Sequence, residues 1–159
     1  MPLKRAASAA ALAAGLVMVL SSCGALAPAD DLTTENVLGE WKLGAGGSTA
    51  TISMHQDGGF VARSWPSNLL CSPSGATTVG DLEWDDLLTI RGTWQQGTDF
   101  PSLLILMPDE GMCSGASWVF DVWEYGTGDY RIQVFLDGVR DPESASDDQS
   151  VWISKVPAD

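Results

Sequence analysis

Few residues in this chain could carry chemistry: one imidazole, His55, three thiols, Cys23, Cys71 and Cys113, and a surplus of carboxylates. A Ser or Cys nucleophile would have to pass its proton through His55, yet no G-x-S-x-G turn accompanies it. Gly44 to Gly47 is rich in glycine, but no Lys follows in the position a phosphate loop requires. Zinc would find too few soft ligands, because there is no C-x-x-C and His55 stands far from the thiols in sequence. The carboxylates crowd into turn-rich stretches: Glu83, Asp85 and Asp86 around Trp84, Asp109 beside Glu110, and Asp137, Asp141, Glu143, Asp147 and Asp148 in one loop. That loop offers oxygen ligands for calcium without the fixed glycine and terminal Glu of an EF-hand, and it reads as solvated turn. Glycoside hydrolysis needs two acids held a few ångströms apart, which spacing along a chain does not supply. The expectation is a protein that is not an enzyme and takes no cofactor or metal, with a hydrolase using loop carboxylates as the remote alternative.

Charge narrows the partners further. The 159 residues carry 8 basic and 21 acidic side chains, a formal net charge of −13. Nucleic acid is excluded as a partner, since a phosphate backbone binds where Lys and Arg cluster. The length suits one compact domain with a short extension.

Residues 1–22 open with Lys4 and Arg5 and continue with 15 apolar or small residues from Ala6 to Leu20. As a helix that run spans roughly 22 Å, short of the ~30 Å hydrocarbon slab, so it reads as a signal peptide and not as a permanent span. It ends Leu20-Ser21-Ser22-Cys23, which resembles the lipobox of bacterial lipoproteins. The resemblance implies that diacylglycerol is attached to the Cys23 thiol, that cleavage falls just before it, and that the protein is held at the extracytoplasmic face of the cell membrane. Two acyl chains give the double anchor that one chain cannot, at about 0.8 kcal/mol per buried methylene. From Cys23 onward 6 basic and 21 acidic residues leave a formal charge of −15, which anionic head groups repel within a Debye length.

Residues 23–36 follow as the lipidated N-terminus and a flexible tether, small, Pro-containing and acidic; its 13 residues from Gly24 reach about 45 Å when extended. A short helical turn capped by Thr33 or Thr34, with Glu35 in its first turn, is the alternative for part of it. With Cys23 acylated, Cys71 and Cys113 are an even pair in an exported protein, and a disulfide tying two Ser- and Gly-rich loops is expected.

From residue 37 to 159 the apolar residues recur in short runs separated by turn chemistry, with no sustained helical period. Strands are expected over Val37 to Leu43, Ser48 to His55, Phe60 to Trp65, Leu87 to Gln95, Leu103 to Met107, Ala116 to Tyr125, Tyr130 to Leu136 and Val151 to Val156. Gln56-Asp57-Gly58-Gly59 and Gly126-Thr127-Gly128-Asp129 supply hairpin turns. Leu103 to Met107 is apolar on both faces, which suggests a strand covered on both sides or one whose outer face packs under a loop. About eight short consecutive antiparallel strands suit a single up-and-down barrel, which removes exposed edges; a β-sandwich is the alternative. Gly39-Glu40-Trp41 looks like the G-x-W that opens many lipocalin-like barrels, and Gly92-Thr93-Trp94 repeats it. With the lipobox, the Asp-Gly-Gly-Phe hairpin and the closing Val134-Phe-Leu-Asp-Gly-x-x-Asp-Pro142 run, the chain is similar to small actinobacterial lipoproteins of unassigned function. Lipocalins also place a basic residue of the last strand near that tryptophan, a part the resemblance offers to Lys155.

Seven tryptophans, at 41, 65, 84, 94, 118, 123 and 152, dominate what remains. In a small barrel most should fill the interior, each seeking an acceptor for its N–H. The strand Trp118 to Tyr125 carries aromatic rings on both faces, so one face must lie outside the core. Trp65, beside Pro66 at a strand end, is the candidate for a cavity rim, with Trp94 and Trp118 as its walls. The expected role is a binding module for a small apolar or sugar-like ligand; the alternative is a filled-core envelope lipoprotein that meets a protein partner through its acidic surface.

Overall fold

The computed structural model describes residues 25–113 and 115–157. Residues 1–22, expected to be a signal peptide, and Cys23 lie outside the described residues. The chain is an all-β, closed antiparallel barrel of eight strands with one extra strand. In chain order the strands are β1 (Leu26–Pro28), β2 (Gly39–Ala45), β3 (Ser48–Met54), β4 (Gly59–Pro66), β5 (Leu87–Gln96), β6 (Leu103–Pro108), β7 (Trp118–Tyr125), β8 (Tyr130–Phe135) and β9 (Ser150–Lys155). Each of β2 to β9 pairs with its neighbours in sequence, and β9 returns to β2. All eight expected strands form, because their period-two alternation places one side-chain set inward, where burial rewards it. On β3, Ala50, Ile52 and Met54 are buried while Thr49, Thr51 and Ser53 face outward.

Successive antiparallel strands divide the connections between two ends. One end, the hairpin end, holds the β3–β4, β5–β6 and β7–β8 connections. The other, the loop end, holds the β2–β3 turn and the long β4–β5, β6–β7 and β8–β9 loops. The interior is filled by large buried side chains, among them Trp41, Phe60, Trp65, Ile52, Leu106 and Ile153.

The stretch expected to be a flexible tether is folded from Leu26 onward. Strand β1 pairs with β7 from Leu26↔Tyr125 to Pro28↔Trp123, along the edge that β6 occupies only as far as Leu103↔Asp121. The handover is continuous: the Val122 N–H donates to Ser102 O (2.8 Å), and the Ala29 N–H donates to Val122 O (3.0 Å). A helical turn, α1 (Thr34–Val37), then closes the hairpin end. Thr33 caps it by accepting from the Asn36 N–H, and the Asn36 side chain accepts in return from the Thr33 N–H. Leu32, just before that turn, and Val37, its last residue, are both buried in the core. Burial of these side chains, with Ala29, is what a charge- and proline-based reading of the segment misses.

The G-x-W strand meets this turn. The Trp41 indole N–H donates to Val37 O at 2.8 Å, and the Lys155 ammonium lies 5.3 Å from the centre of the Trp41 ring while donating to Val37 O and Leu38 O. The last carbonyls of α1 are thus satisfied by the first and last strands of the barrel. Gly39 holds φ +100°, a conformation that side chains rarely adopt, and a Cβ there would stand 3.2 Å from Lys155 Nζ. On β6 inward Leu104 and Leu106 are buried and outward Leu103, Ile105 and Met107 are half-buried, so the outer face is partly covered.

Candidate functional site

Strands β7 and β8 part as they leave their hairpin. Their ladder has three pairs, from Glu124↔Tyr130 to Val122↔Ile132. Beyond these, Trp118 to Asp121 keep their bonds to β6, and Gln133 to Phe135 keep theirs to β9, with no ladder between the two strands. The barrel wall therefore splits toward the loop end, opening a cleft of ≈ 340 Å³. Inward Trp118, Phe120 and Val134 form part of its lining, and outward Asp121, Trp123, Gln133 and Phe135 add to it. The alternation on β7 expected from sequence is present: Trp118, Phe120 and Val122 are buried, while Val119, Asp121 and Tyr125 are exposed and Trp123 is half-buried.

The β4–β5 loop forms one wall. Leu70 lines the cleft and also an adjoining hollow of ≈ 310 Å³ that Phe135 shares. It holds a left-handed backbone at φ 65°, a conformation that costs a side-chain-bearing residue about 1–3 kcal/mol unless its surroundings impose it. They do so here. The Trp118 indole N–H donates to Leu70 O (3.2 Å), the Trp65 indole N–H donates to Leu69 O (2.7 Å), and Cys71 is bonded to Cys113 of the β6–β7 loop. The disulfide ties two loops at one end of the barrel, as expected. Deeper in the same loop Asn68 is already engaged, donating to Asp81 O and accepting from the Glu83 N–H.

The three tryptophans expected to frame a cavity take different places. Trp65, expected at a rim, is sealed in the core at 0% exposure and stacks on Trp118 with ring centres 5.2 Å apart and planes 17° from parallel. Trp118, 2% exposed, is a wall of the seam cleft. Trp94 is buried across Leu106 from Trp118, with its N–H donating to His55 O (3.0 Å) toward the hairpin end, and it lines neither the seam nor the Trp65–Trp118 stack. Each indole N–H finds a loop carbonyl, which is what permits the rings to be buried. The cleft residues that a reading by local pattern passes over are Leu70, Gln133 and Phe135. Phe135 did carry a signal, since it alternates with the polar face of β8 beside Arg131 and Gln133.

Elsewhere several loop carboxylates are engaged in local turns. Asp137 accepts from the Gly138 N–H, Asp141 from the Glu143 N–H and Asp148 from the Ser146 hydroxyl. The hydroxyls of Thr77 and Thr78 and the Thr78 N–H hold the Asp81 carboxyl below its ordinary value. Among the described residues no three His, Cys, Asp or Glu side chains gather where a metal ion could be held. Comparison with known protein families, curated proteins and solved structures found no match. The geometry of the seam therefore carries the functional reading alone.

Proposed function

We propose that this chain is a lipid-anchored extracytoplasmic lipoprotein, held in the membrane through diacylglycerol on Cys23, whose barrel binds a small sugar-like or apolar ligand at the β7–β8 seam. The observation that carries the binding reading is a wall cleft lined by Trp118, Phe120, Trp123 and Phe135 together with Asp121 and Gln133. Aromatic faces receive the flat apolar side of a ring, and the carboxylate and amide orient its hydroxyls, the composition of small-molecule sites of this volume. A packed interior directs the ligand to the wall and not to the axis. Asp121 is the one carboxylate of the cleft lining, where paired-acid hydrolysis uses two, which favours binding over turnover.

Titration of the protein with cell-wall fragments, simple sugars and lipids, followed by tryptophan emission and by amide chemical shifts, tests this reading. Shifts confined to residues 118–123 and 133–135, abolished by Trp123→Ala, support it. Unchanged spectra across all three classes would sink it. The packed core also favours a second reading, an envelope protein that meets a cationic or protein partner through its acidic exterior. Crosslinking in cells should then recover one reproducible partner, with capture falling as salt rises.

A further inference from the structure

The hairpin end of the barrel combines two features that the binding cleft does not use. The first is chain length. Cys23 lies three residues before Leu26, which is already paired with Tyr125. Three residues span at most about 11 Å, so an anchor on Cys23 cannot lift this end clear of a bilayer. The second is exposed apolar surface at the same end. Phe100, in the β5–β6 connection, is 69% exposed, and Leu26 and Tyr125 are 43% and 42% exposed. The Arg131 guanidinium lies 5.0 Å from the centre of the Tyr125 ring and pairs with Asp129 at 2.6 Å. An aromatic ring with a long cation beside it suits a membrane interface, where the ring meets the acyl boundary and the charge stays in water.

We propose that the hairpin end is a membrane-contact face, on which Leu26, Phe100 and Tyr125 touch the interface of the bilayer holding Cys23, with the seam cleft turned away from it. This rests on the lipoprotein reading. The electrostatics require the contact to be apolar. The chain from Cys23 carries −15 overall; Asp129 at this end is paired with Arg131 and Glu124 accepts from the Gly128 N–H, while exposed Asp30, Asp31, Asp57 and Asp99 stay in water and confine the contact to the apolar side chains. The occupant is the anchor's own membrane because the link is too short to reach anything else. The β4–β5, β6–β7 and β8–β9 loops, with the disulfide, then face outward.

The full chain, produced in bacterial membranes and reconstituted in phosphatidylethanolamine–phosphatidylglycerol vesicles, allows a direct test. With Cys23 acylated and Cys71 bonded to Cys113, an introduced cysteine is the sole thiol for a nitroxide label. Thr98→Cys places the label beside Phe100 in the same exposed loop, and Glu143→Cys places it at the loop end. The expected result is about tenfold lower collision of the Thr98 label with an aqueous nickel chelate than of the Glu143 label. Phe100→Glu, or a Gly-Ser spacer inserted after Gly24, should remove most of that protection. Mass spectrometry of the same sample separates the two ways of failing. Acylated Cys23 with equal nickel access at both labels overturns the contact face alone; unmodified Cys23 overturns the lipoprotein reading and the face with it.

Discussion

Replacing Gly92 by alanine tests how tightly the barrel wall is drawn together. A Cβ built at Gly92 stands 2.1 Å from Met107 O, 2.7 Å from a Phe60 ring carbon and 2.8 Å from Pro108 Cα. An ordinary carbon–oxygen approach is about 3.3 Å, so β5 and β6 would have to separate by roughly 1 Å. Two of the three obstacles are backbone atoms that cannot rotate aside, and Phe60 is fixed in the core at 1% exposure. Overpacking of this kind costs ~1–3 kcal/mol, and loosening the two ladder bonds beside the pair adds about 1 kcal/mol for each. A loss of about 3 kcal/mol or more lowers the melting temperature of a domain this size by ~10 °C. Gly44→Ala is the control, because nothing lies within 4 Å of its Cβ and its φ is ordinary; its change should stay within about 0.5 kcal/mol. Thermal melts followed by tryptophan emission read both. Melting of Gly92→Ala within about 2 °C of Gly44→Ala would refute the close approach of β5 to β6.

Replacing both Cys71 and Cys113 by serine opens a 42-residue loop in the unfolded chain and should lower stability by about 4 kcal/mol; it should also weaken the near-ultraviolet circular dichroism of the Trp65–Trp118 stack, and an unchanged signal would show that the Leu70 carbonyl is held without the bond. Gln96→Ala removes an amide that donates to Leu32 O and Pro101 O, both at 2.7 Å, and should cost ~1–2 kcal/mol while speeding hydrogen exchange in residues 26–37 ahead of the barrel. Burial holds the Lys155 amine below its ordinary value of 10.5. Between the lowered folded value and 10.5 the unfolded chain binds more protons, so the burial penalty is present at neutral pH and relieved as pH rises through that window. The stability difference between the native chain and Lys155→Met should therefore shift in favour of the native chain with rising alkaline pH in denaturant titrations, and a flat difference would contradict the assignment.

Much of the fold was legible along the chain because the signals are local. Alternation such as Ala50, Ile52 and Met54, and turns such as Asp57-Gly58-Gly59, act within a few residues and pick out all eight barrel strands. The pairing of Cys71 with Cys113 was legible because exclusion of Cys23 left one choice. Other features depend on surfaces that exist only after the sheet closes. Nothing in Leu26-Ala27-Pro28 announces a strand; it becomes one because β6 leaves the edge of β7 beyond Asp121 unoccupied, and unpaired backbone groups there accept a new partner. The place of each tryptophan was decided in the same way. Trp65, Trp94 and Trp118 could be buried only once Leu69, His55 and Leu70 brought carbonyls to their N–H groups, and two of these bonds bridge 39 and 48 residues of chain. The sequence by itself determined the strands, their inward faces and the acidic exterior, since these follow from residue type at short range. Tertiary structure alone decided that the N-terminal segment is a plug and that the wall opens between β7 and β8, because both arise from how the neighbours of β7 pair once the sheet closes: β1 takes the edge that β6 leaves, and β8 parts from β7 beyond Val122↔Ile132.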